Sequence, residues 1–224
     1  KIEREAQDRM ALASQMKAVA AQKAGHLARE ITPVSIPQKK GDAIIVDKDE
    51  HPRETSMESL AKLKGVVRPD GTVTAGNASG VNDGACALLL ANETMAGKYS
   101  LTPKARVVGM ATAGVAPRVM GIGPAPATLK VLAQTGLTLD QIDVIELNEA
   151  FAAQALAVVK ELDLDPSKIN PLGGAIALGH PLGATGAIRT ATLLHGMRRT
   201  GGKYGMVSMC IGTGMGAAGI FESI

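Results

Sequence analysis

The sequence predicts a layered α/β fold in which helices pack on a mixed sheet. Beyond Pro103, apolar stretches of strand length alternate with segments of helical periodicity, as in helix-covered sheets. Aromatic residues make up 2% of the chain and Trp is absent, so small aliphatic side chains and Met must fill the core. With 224 residues, 46% of them hydrophobic, the chain can form one large domain or two small ones.

The first hundred residues are predicted to contain one long helix and several shorter segments. A helix is expected over 3–24, ended by Gly25, with an apolar stripe at three- and four-residue steps. That stripe consists of Ala6, Met10, Ala13, Met16 (or Lys17) and Ala20. Prolines exclude a helix from 31–46, where β-branched residues favour short strands or an extended loop. The other expected segments are a charged loop over 47–55, one or two helical turns over 56–63, a strand-like stretch at 72–74, an apolar helix-like stretch over 85–91 and a short helix over 93–98.

From Pro103 onward the predicted elements alternate regularly. Pro124 opens a helix that Gly136 closes. The final two strands flank a glycine turn, which predicts an antiparallel pair beside otherwise helix-connected strands. The predicted strands are 105–112, 144–147, 204–210 and 216–222, and the predicted helices are 124–135, 149–162 and 183–197.

Charge and cysteine content exclude several classes of protein. The formal net charge is +3 with basic residues spread along the chain, which argues against a nucleic-acid binder. Cys86 and Cys210 form no C-x-x-C pair and the histidines are scattered, so we expect no metal site. No apolar run reaches transmembrane length, and no signal peptide is apparent. We therefore expect reduced thiols and a cytoplasmic location.

Two glycine-framed motifs carry side chains suited to proton transfer. Cys210 ends an apolar run before Gly212 and Gly214, and fits either a small buried hydrophobe or an activated thiol beside open backbone N–H groups. In Gly179–Gly183, His180 fits either a loop histidine bonded to carbonyls or an imidazole placed for acid/base work.

A third motif follows a predicted strand, at the edge where ligands gather in α/β sheets. Asn148 suits either a helix N-cap or an amide that fixes a water or substrate oxygen. Glu149 either supports a neighbouring backbone or side-chain group, or places a favourable negative charge at a helix N-terminus. Phe151 fits an apolar pocket or the core. The small residues of Asn77–Gly80 leave room for a narrow ligand along the backbone, and the chain has no G-x-G-x-x-G site there.

Together these segments resemble the thiolase family over essentially the whole chain. Asn148–Phe151, Gly179–Gly183 and Cys210–Gly214 are similar to its three C-terminal active-site motifs, in order, and Thr74–Gly80 with Asn82–Gly84 to its coenzyme A-binding stretch. The resemblance implies a thiolase-like layered fold with a mixed sheet of the five-stranded type. It also implies acyl transfer between coenzyme A thioesters, as thiolytic cleavage of 3-ketoacyl-CoA or the reverse Claisen condensation. Bacterial degradative thiolases, including 3-oxoadipyl-CoA thiolases, look most similar.

The resemblance implies a role for each motif residue. Cys210 would move the proton at the α-carbon, and His180 would activate a nucleophilic cysteine. His180 and a water held by Asn148 would form an oxyanion hole for the thioester enolate, while the N–H of Gly212 would serve a second hole at the acyl-enzyme. On the coenzyme A side, the implied contacts are Ser79 with the pantetheine arm, Phe151 with its tunnel, Ser59 near the adenine and Arg53 near the phosphates.

One residue expected of a thiolase has no counterpart among these motifs. The family carries its acyl group on a cysteine in the N-terminal half, and Cys86 does not match it. We therefore expect a C-terminal portion with the N-terminal half missing, and no thiolysis by these 224 residues alone. Residues 1–81 would be part of the loop domain, 82–102 a return segment of the N-terminal domain and 103–224 the C-terminal domain.

Two other functions stay open on the sequence. A ketoacyl synthase-like condensing enzyme would share the fold but typically has a histidine where Asn148 stands. The second open function is a non-catalytic, thiolase-like module for acyl-CoA binding or assembly. The family resemblance implies a homo-oligomer, dimer or tetramer, with coenzyme A and acyl-CoA as partners. Coenzyme A would be a substrate, and no bound cofactor, nucleic acid or membrane is expected.

Overall fold

A computed structural model describes residues 1–224 and gives the following elements. The helices are α1 (Arg4–Lys23), α2 (Met57–Ala61), α3 (Glu93–Lys98), α4 (Pro124–Thr135), α5 (Ala152–Leu162), α6 (Ala175–Leu178) and α7 (Thr185–Thr200). The strands are β1 (Val34–Ile36), β2 (Ile44–Val46), β3 (Ala105–Gly114), β4 (Val144–Leu147), β5 (Tyr204–Ile211) and β6 (Met215–Ser223). Short 3₁₀ turns cover Leu27–Arg29, Pro117–Ile122, Leu139–Gln141 and Pro166–Lys168.

The main sheet is mixed, as predicted, and has the strand order β3-β6-β5-β4. β4 and β5 are parallel, and β6 runs antiparallel to both of its neighbours. This sheet has four strands where the resemblance implied five. Outside β4, Ile169 makes a single parallel bridge to Ile145, so the fifth strand is reduced to one bridge. β1 and β2 form a separate exposed hairpin.

Helices cover both faces of the sheet. The side chains of β4 alternate between these faces. Ile145 and Leu147 lie in a 16-residue core with α4 and α5, whereas Val144 packs with Leu193 and Met197 of α7. The larger core contains no aromatic residue, in line with the composition. The layered α/β fold is therefore confirmed.

The predicted apolar stripe of α1 is wrong. The buried residues of this helix are Gln7, Asp8, Ala11, Ser14, Gln15, Ala18 and Ala21, whereas Met16 is 64% exposed. α1 packs against α2, α5 and α6 and the loops around them, not against the sheet. Loop backbone groups need hydrogen-bond partners once they are buried, so the polar face of α1 turns inward.

Two further expectations in the first hundred residues are wrong. The apolar stretch 85–91 forms no helix, and Leu89 and Leu90 are 81% and 73% exposed. Hydrophobicity alone cannot assign so short a run to a helix. The strand-like stretch 72–74 makes only one isolated bridge, between Gly65 and Thr74.

Three further observations concern metal ligands, cysteines and membrane-spanning segments. No group of three or more His, Cys, Asp or Glu side chains is placed to hold a metal ion. Both cysteines are free thiols. None of the helices combines the length and apolar character that a membrane crossing requires.

The start of β6 packs against the backbone that enters α4. A Cβ atom at Gly216 would overlap the carbonyl of Gly123 and lie 2.7 Å from the nitrogen of Pro124. Gly216 also pairs with Cys210 across the β5–β6 ladder. The position therefore requires glycine for close approach of two backbones.

We expect Gly216→Ala to destabilise the protein by about 2–4 kcal/mol, because backbone atoms cannot move aside as a flexible side chain can. Gly97→Ala is the matched control, since a Cβ there meets nothing within 4 Å inside α3. That control should be neutral or stabilising by up to about 1 kcal/mol. Urea unfolding measures both free energies, and equal values for the two variants would contradict the packing argument.

Candidate functional site

The segment 78–82 runs beside the asparagine-containing motif. Ala78 forms an antiparallel bridge with Phe151, and the N–H of Ser79 donates to the carbonyl oxygen of Ala150 at 3.0 Å. The Ser79 hydroxyl donates to the same oxygen at 3.2 Å. These bonds place Ser79 and Phe151 side by side.

The same segment continues to the histidine motif. Val81 forms a parallel bridge with His180, and the N–H of His180 donates to Oδ1 of Asn82 at 3.1 Å. A Cβ atom at Gly179, whose φ is +90°, would come within 2.6 Å of that Asn82 oxygen. The small residues around 78–82 therefore allow one extended segment to contact both motifs.

The imidazole of His180 contacts the carboxamide of Asn148, with 3.3 Å between Nε2 and Nδ2. On the other side of the ring, Nδ1 lies 2.7 Å from the hydroxyl oxygen of Thr185. That hydroxyl donates its one hydrogen to the carbonyl of Pro181 at 2.7 Å, so it can only accept from the ring. The neutral imidazole therefore carries its proton on Nδ1 and presents the Nε2 lone pair to Asn148.

Asn148 is fully buried and does not cap the next helix, because Phe151 holds the N-cap position of α5. Its Oδ1 atom is buried without a hydrogen-bond partner. Phe151 is 36% exposed. The N-cap interpretation of Asn148 is therefore wrong, and the predicted helix starts later because residues 148–151 make the contacts of the site.

Cys210 lies near the end of β5, one strand from Asn148. The N–H of Asn148 donates to the carbonyl oxygen of Ser208 at 2.9 Å, which extends the parallel β4–β5 pairing by one bond. The Ser208 hydroxyl lies 3.1 Å from that of Thr128 in α4, so alternation puts the Cys210 side chain on the α4 face as well. Between them, Met209 directs its sulfur to the first turns of α7. Cys210 thus lies one strand away from Asn148, whose side chain contacts His180.

The turn after Cys210 is open on one side. A Cβ atom at Gly212 would meet nothing within 4 Å. Thr213 has a φ of +70°, which is uncommon for a residue other than glycine, and the N–H of Val115 donates to Gly214 at 2.8 Å to fix the turn. Gly212 is therefore exposed, with open space where a side chain would project.

Burial shifts the two candidate acid/base groups in opposite directions. It lowers the pKa of His180, with a further contribution from the positive charge of Arg189. It raises the pKa of the Cys210 thiol, which is 8% exposed. Both groups are therefore neutral at pH 7. Arg189 itself pairs with buried Glu146 at 3.2 Å, and burial raises the pKa of that carboxyl to about 7.

The other two residues predicted to contact coenzyme A make no hydrogen bond to the histidine or asparagine motifs. The Ser59 N–H donates to the hydroxyl of Ser56, which caps α2. Arg53 Nη2 donates to the carbonyl of Ala75 at 3.5 Å. Both Ser59 and Arg53 are exposed. Arg53 thus contacts the first residue of the run of small residues 75–80 (the small-residue stretch), and α2 approaches the same end through Leu60 beside Gly76, whereas Ser79 lies near the other end.

The buried carboxylate of Glu149 holds the loops around the site. Its Oε2 accepts from the Ser14 hydroxyl at 2.7 Å and from the N–H of Ile176 at 3.2 Å, and its Oε1 accepts from Asn170 Nδ2 at 2.8 Å. These bonds join α1, the loop before α6 and the first turn of α6, which leads directly to His180. Glu149 therefore positions the backbone that carries the histidine.

Sequence reasoning missed the partners of these groups. Thr185 was placed only as part of a helix, and its position five residues after His180 was the available indication of a contact. Asn82 belonged to a stretch assigned to coenzyme A, yet its side chain holds the His180 backbone. Ser14 and Asn170 lie far from Glu149 in sequence, and no local pattern indicated them.

Comparison with known proteins covers nearly the whole chain. The family model described as thiolase, N-terminal domain, matches residues 1–94, and the one described as thiolase, C-terminal domain, matches 101–223. The chain is 56% identical to a beta-ketoadipyl-CoA thiolase of Acinetobacter baylyi and 52% identical to an acetyl-CoA acetyltransferase of Chromobacterium violaceum. The two alignments take in 100% and 97% of this chain. Each covers 56% of the relative, so the chain spans about half the length of these curated relatives.

Two solved structures superpose on the whole of this chain. The acetyl-CoA acetyltransferase of Bacillus anthracis superposes with a TM-score of 0.96 at 47% identity, over 100% of this chain and 57% of that one. Human mitochondrial 3-ketoacyl-CoA thiolase superposes with a TM-score of 0.92, also at 47% identity, over 100% of this chain and 56% of that one.

Glu149→Gln is expected to destabilise the protein by about 1–3 kcal/mol, because an NH₂ group would then face a buried hydrogen-bond donor. Glu161→Gln, an exposed position next to the end of α5, is the control and should change stability little. The double variant Ser14→Ala/Glu149→Gln should lose less unfolding free energy than the two single variants lose in sum, since their side chains share one hydrogen bond. Chemical unfolding measures all four variants, and a Glu149→Gln protein as stable as the control would contradict the positioning role.

Proposed function

Because the chain belongs to the thiolase family, we propose that it supplies the acid/base and oxyanion-hole part of acyl transfer between coenzyme A thioesters. The reaction is thiolytic cleavage of 3-ketoacyl-CoA or the reverse Claisen condensation. The contact between His180 Nε2 and Asn148 Nδ2 carries this proposal. It joins two motifs at the carboxyl end of β4, one strand away from Cys210 in β5.

In this proposal His180 acts first as a base. The basic lone pair of its neutral ring is at Nε2, and it would exchange the 3.3 Å contact with Asn148 for the proton of a nucleophilic thiol. Once protonated, the same Nε2–H donates to the developing oxyanion of the thioester enolate. The buried Oδ1 of Asn148 needs a donor, and a water bound there would direct its other hydrogen to that enolate oxygen.

Cys210 moves the second proton from the α4 side. In the cleavage direction its S–H protonates the α-carbon of the departing enolate, leaving a thiolate. In the condensation direction that thiolate removes a proton from the α-carbon. Burial favours the protonated thiol, which is the form that cleavage requires. The N–H of Gly212, beside open space, would stabilise the oxyanion of the acyl-enzyme.

We place coenzyme A along the small-residue stretch. Ser79 and Phe151, which lie side by side, would contact the pantetheine arm. Ser59 and Arg53, at the other end of the stretch, would face the adenine and the phosphates. This assignment directs the pantetheine arm toward the sheet edge and the nucleotide end toward α2, in the order in which these residues follow the stretch. Coenzyme A enters here as a substrate.

We further propose the division into a partial loop domain (1–81), a return segment (82–102) and the C-terminal domain (103–224). The family matches, which change between residues 94 and 101, support a boundary in this region. For the substrate we propose a 3-ketoacyl-CoA, with 3-oxoadipyl-CoA favoured by the names of the 56% identical relatives. We also propose that the protein is cytoplasmic and forms a homo-oligomer, either a dimer or a tetramer.

The assigned role of Cys210 predicts exchange of the acetyl-CoA methyl protons with solvent in D₂O. Cys210→Ala should slow this exchange about 100-fold or more, which is the scale of one acid/base group. Proton NMR of acetyl-CoA follows the exchange. Cys86→Ala is the control, because Cys86 lies in an irregular segment outside the site, and it should leave the rate unchanged.

The rate should also rise with pH above neutrality, because the raised pKa of Cys210 keeps the thiol protonated at pH 7. Exchange that persists in Cys210→Ala would contradict the role of this residue. Binding of acetyl-CoA without any exchange would favour the non-catalytic binding module. Decarboxylation of a malonyl thioester would favour a ketoacyl synthase-like enzyme.

A protein of these 224 residues is expected not to cleave acetoacetyl-CoA with coenzyme A. Acyl transfer needs a nucleophile that carries the acyl group, and the two cysteines here are Cys210, assigned to proton transfer, and Cys86. The loss of acetoacetyl-CoA absorbance measures cleavage. Turnover above the enzyme-free rate would show that one of these two thiols carries the acyl group after all.

A further inference from the structure

A basic cavity lies at the end of α7 farthest from His180. Its volume is about 320 Å³, and its lining residues are His26, Arg29, Leu172, His195, Arg198 and Arg199. Leu172 is the one apolar residue among them. The 13 residue-to-residue steps from Thr185 to Arg198 separate the cavity from the imidazole end of the helix by about 20 Å, at 1.5 Å per step.

The three arginines of this cavity form no ion pair within 4.0 Å. None of Arg29, Arg198 and Arg199 takes part in an ion pair. The carboxylate of Glu30, next to Arg29 in the sequence, instead accepts from the hydroxyl of Thr192 at 2.8 Å. The charge of Arg199 partly offsets the rise that burial gives to the pKa of Glu30, but no carboxylate is within ion-pair distance of the three arginines. Positive groups from two separate parts of the chain therefore converge, and a bound anion would relieve their mutual repulsion.

The dipole of α7 explains only part of this arrangement. Arg198 and Arg199 occupy its last turn, where positive charge is favourable. His26 and Arg29 come from the turn that follows α1, and the dipole gives no reason for their position. Burial is the largest cause that lowers the pKa of His195, and the charges of Arg198, Arg29 and Lys104 lower it further. The contribution of these charges shows that the imidazole lies in a positive potential.

We propose that this cavity binds a compact oligophosphate anion, of which pyrophosphate is the smallest representative. Guanidinium forks match phosphate oxygens in geometry and bind them with charge-assisted hydrogen bonds. The cavity volume is at the lower end of that of small-molecule sites, and a lining with one apolar residue does not suit an acyl chain. The proposed phosphate contact of the coenzyme A site, Arg53, belongs to a different part of the chain and does not line this cavity.

The test is calorimetric titration of the 224-residue protein with inorganic pyrophosphate at low ionic strength. We expect saturable binding at one site. Arg29→Gln and Arg198→Gln, one from each part of the chain, should each raise Kd about tenfold or more, the loss expected for one charge-assisted hydrogen bond. Arg9→Gln is the matched control, since it removes the same charge from an exposed position of α1 outside the cavity, and it should keep the wild-type Kd.

A second measurement keeps binding and folding apart. Saturating pyrophosphate should raise the melting temperature of the wild-type protein and of Arg9→Gln, but not that of the Arg29→Gln/Arg198→Gln double variant. Circular dichroism checks that the variants fold, and both arginines are exposed, so no core contact is lost. Either a wild-type protein without saturable pyrophosphate binding, or the same change of Kd in Arg9→Gln and Arg29→Gln, would overturn the proposal.

Discussion

The inward-facing polar side of α1 is the constraint on which the candidate site depends. Asp8 accepts from Asn77 Nδ2 at 2.8 Å, which fixes the approach to segment 78–82. Ser14 donates to Glu149, whose carboxylate fixes the approach to the histidine. Each buried group would be costly without its partner, so helix and loops are stable only together. The packing of α1 and the geometry of the site therefore form a single cooperative unit.

Elements with clear local boundaries could be predicted from sequence, and elements defined by their surroundings could not. α4, between Pro124 and Gly136, and the β5–β6 pair were predicted to within one residue, because apolar runs there end at Pro or Gly. The orientation of α1 was missed because hydrophobicity places Met16 inside, whereas loop backbone groups select Ser14. The exposure of Leu89 likewise depends on what surrounds it, which no local pattern encodes.

The same distinction applies to the site. The chemistry of the thiol, imidazole and carboxamide was evident from the motifs, since each motif is a contiguous run of residues. Their state was not evident, because it depends on groups brought in by folding. Thr185 and the carbonyl of Pro181 together set the tautomer of His180, and burial sets the direction of its pKa shift. A residue type can thus be recognised locally, whereas its protonation is a property of the assembled site.

α7 runs from the candidate acid/base site at its first turn to the basic cavity at its last turn, and its length keeps the two apart. Its first turn holds a neutral imidazole near the positive end of the helix dipole, which disfavours protonation of His180 and helps to keep it a base. Its last turn places Arg198 and Arg199 at the negative end, where their charges are stabilised. Separation by about 20 Å exceeds a Debye length of about 8–10 Å, so the basic cavity has little influence on the imidazole through solvent. Arg189, about one turn after Thr185 and buried, is the cation that affects His180, and its pairing with Glu146 moderates this effect.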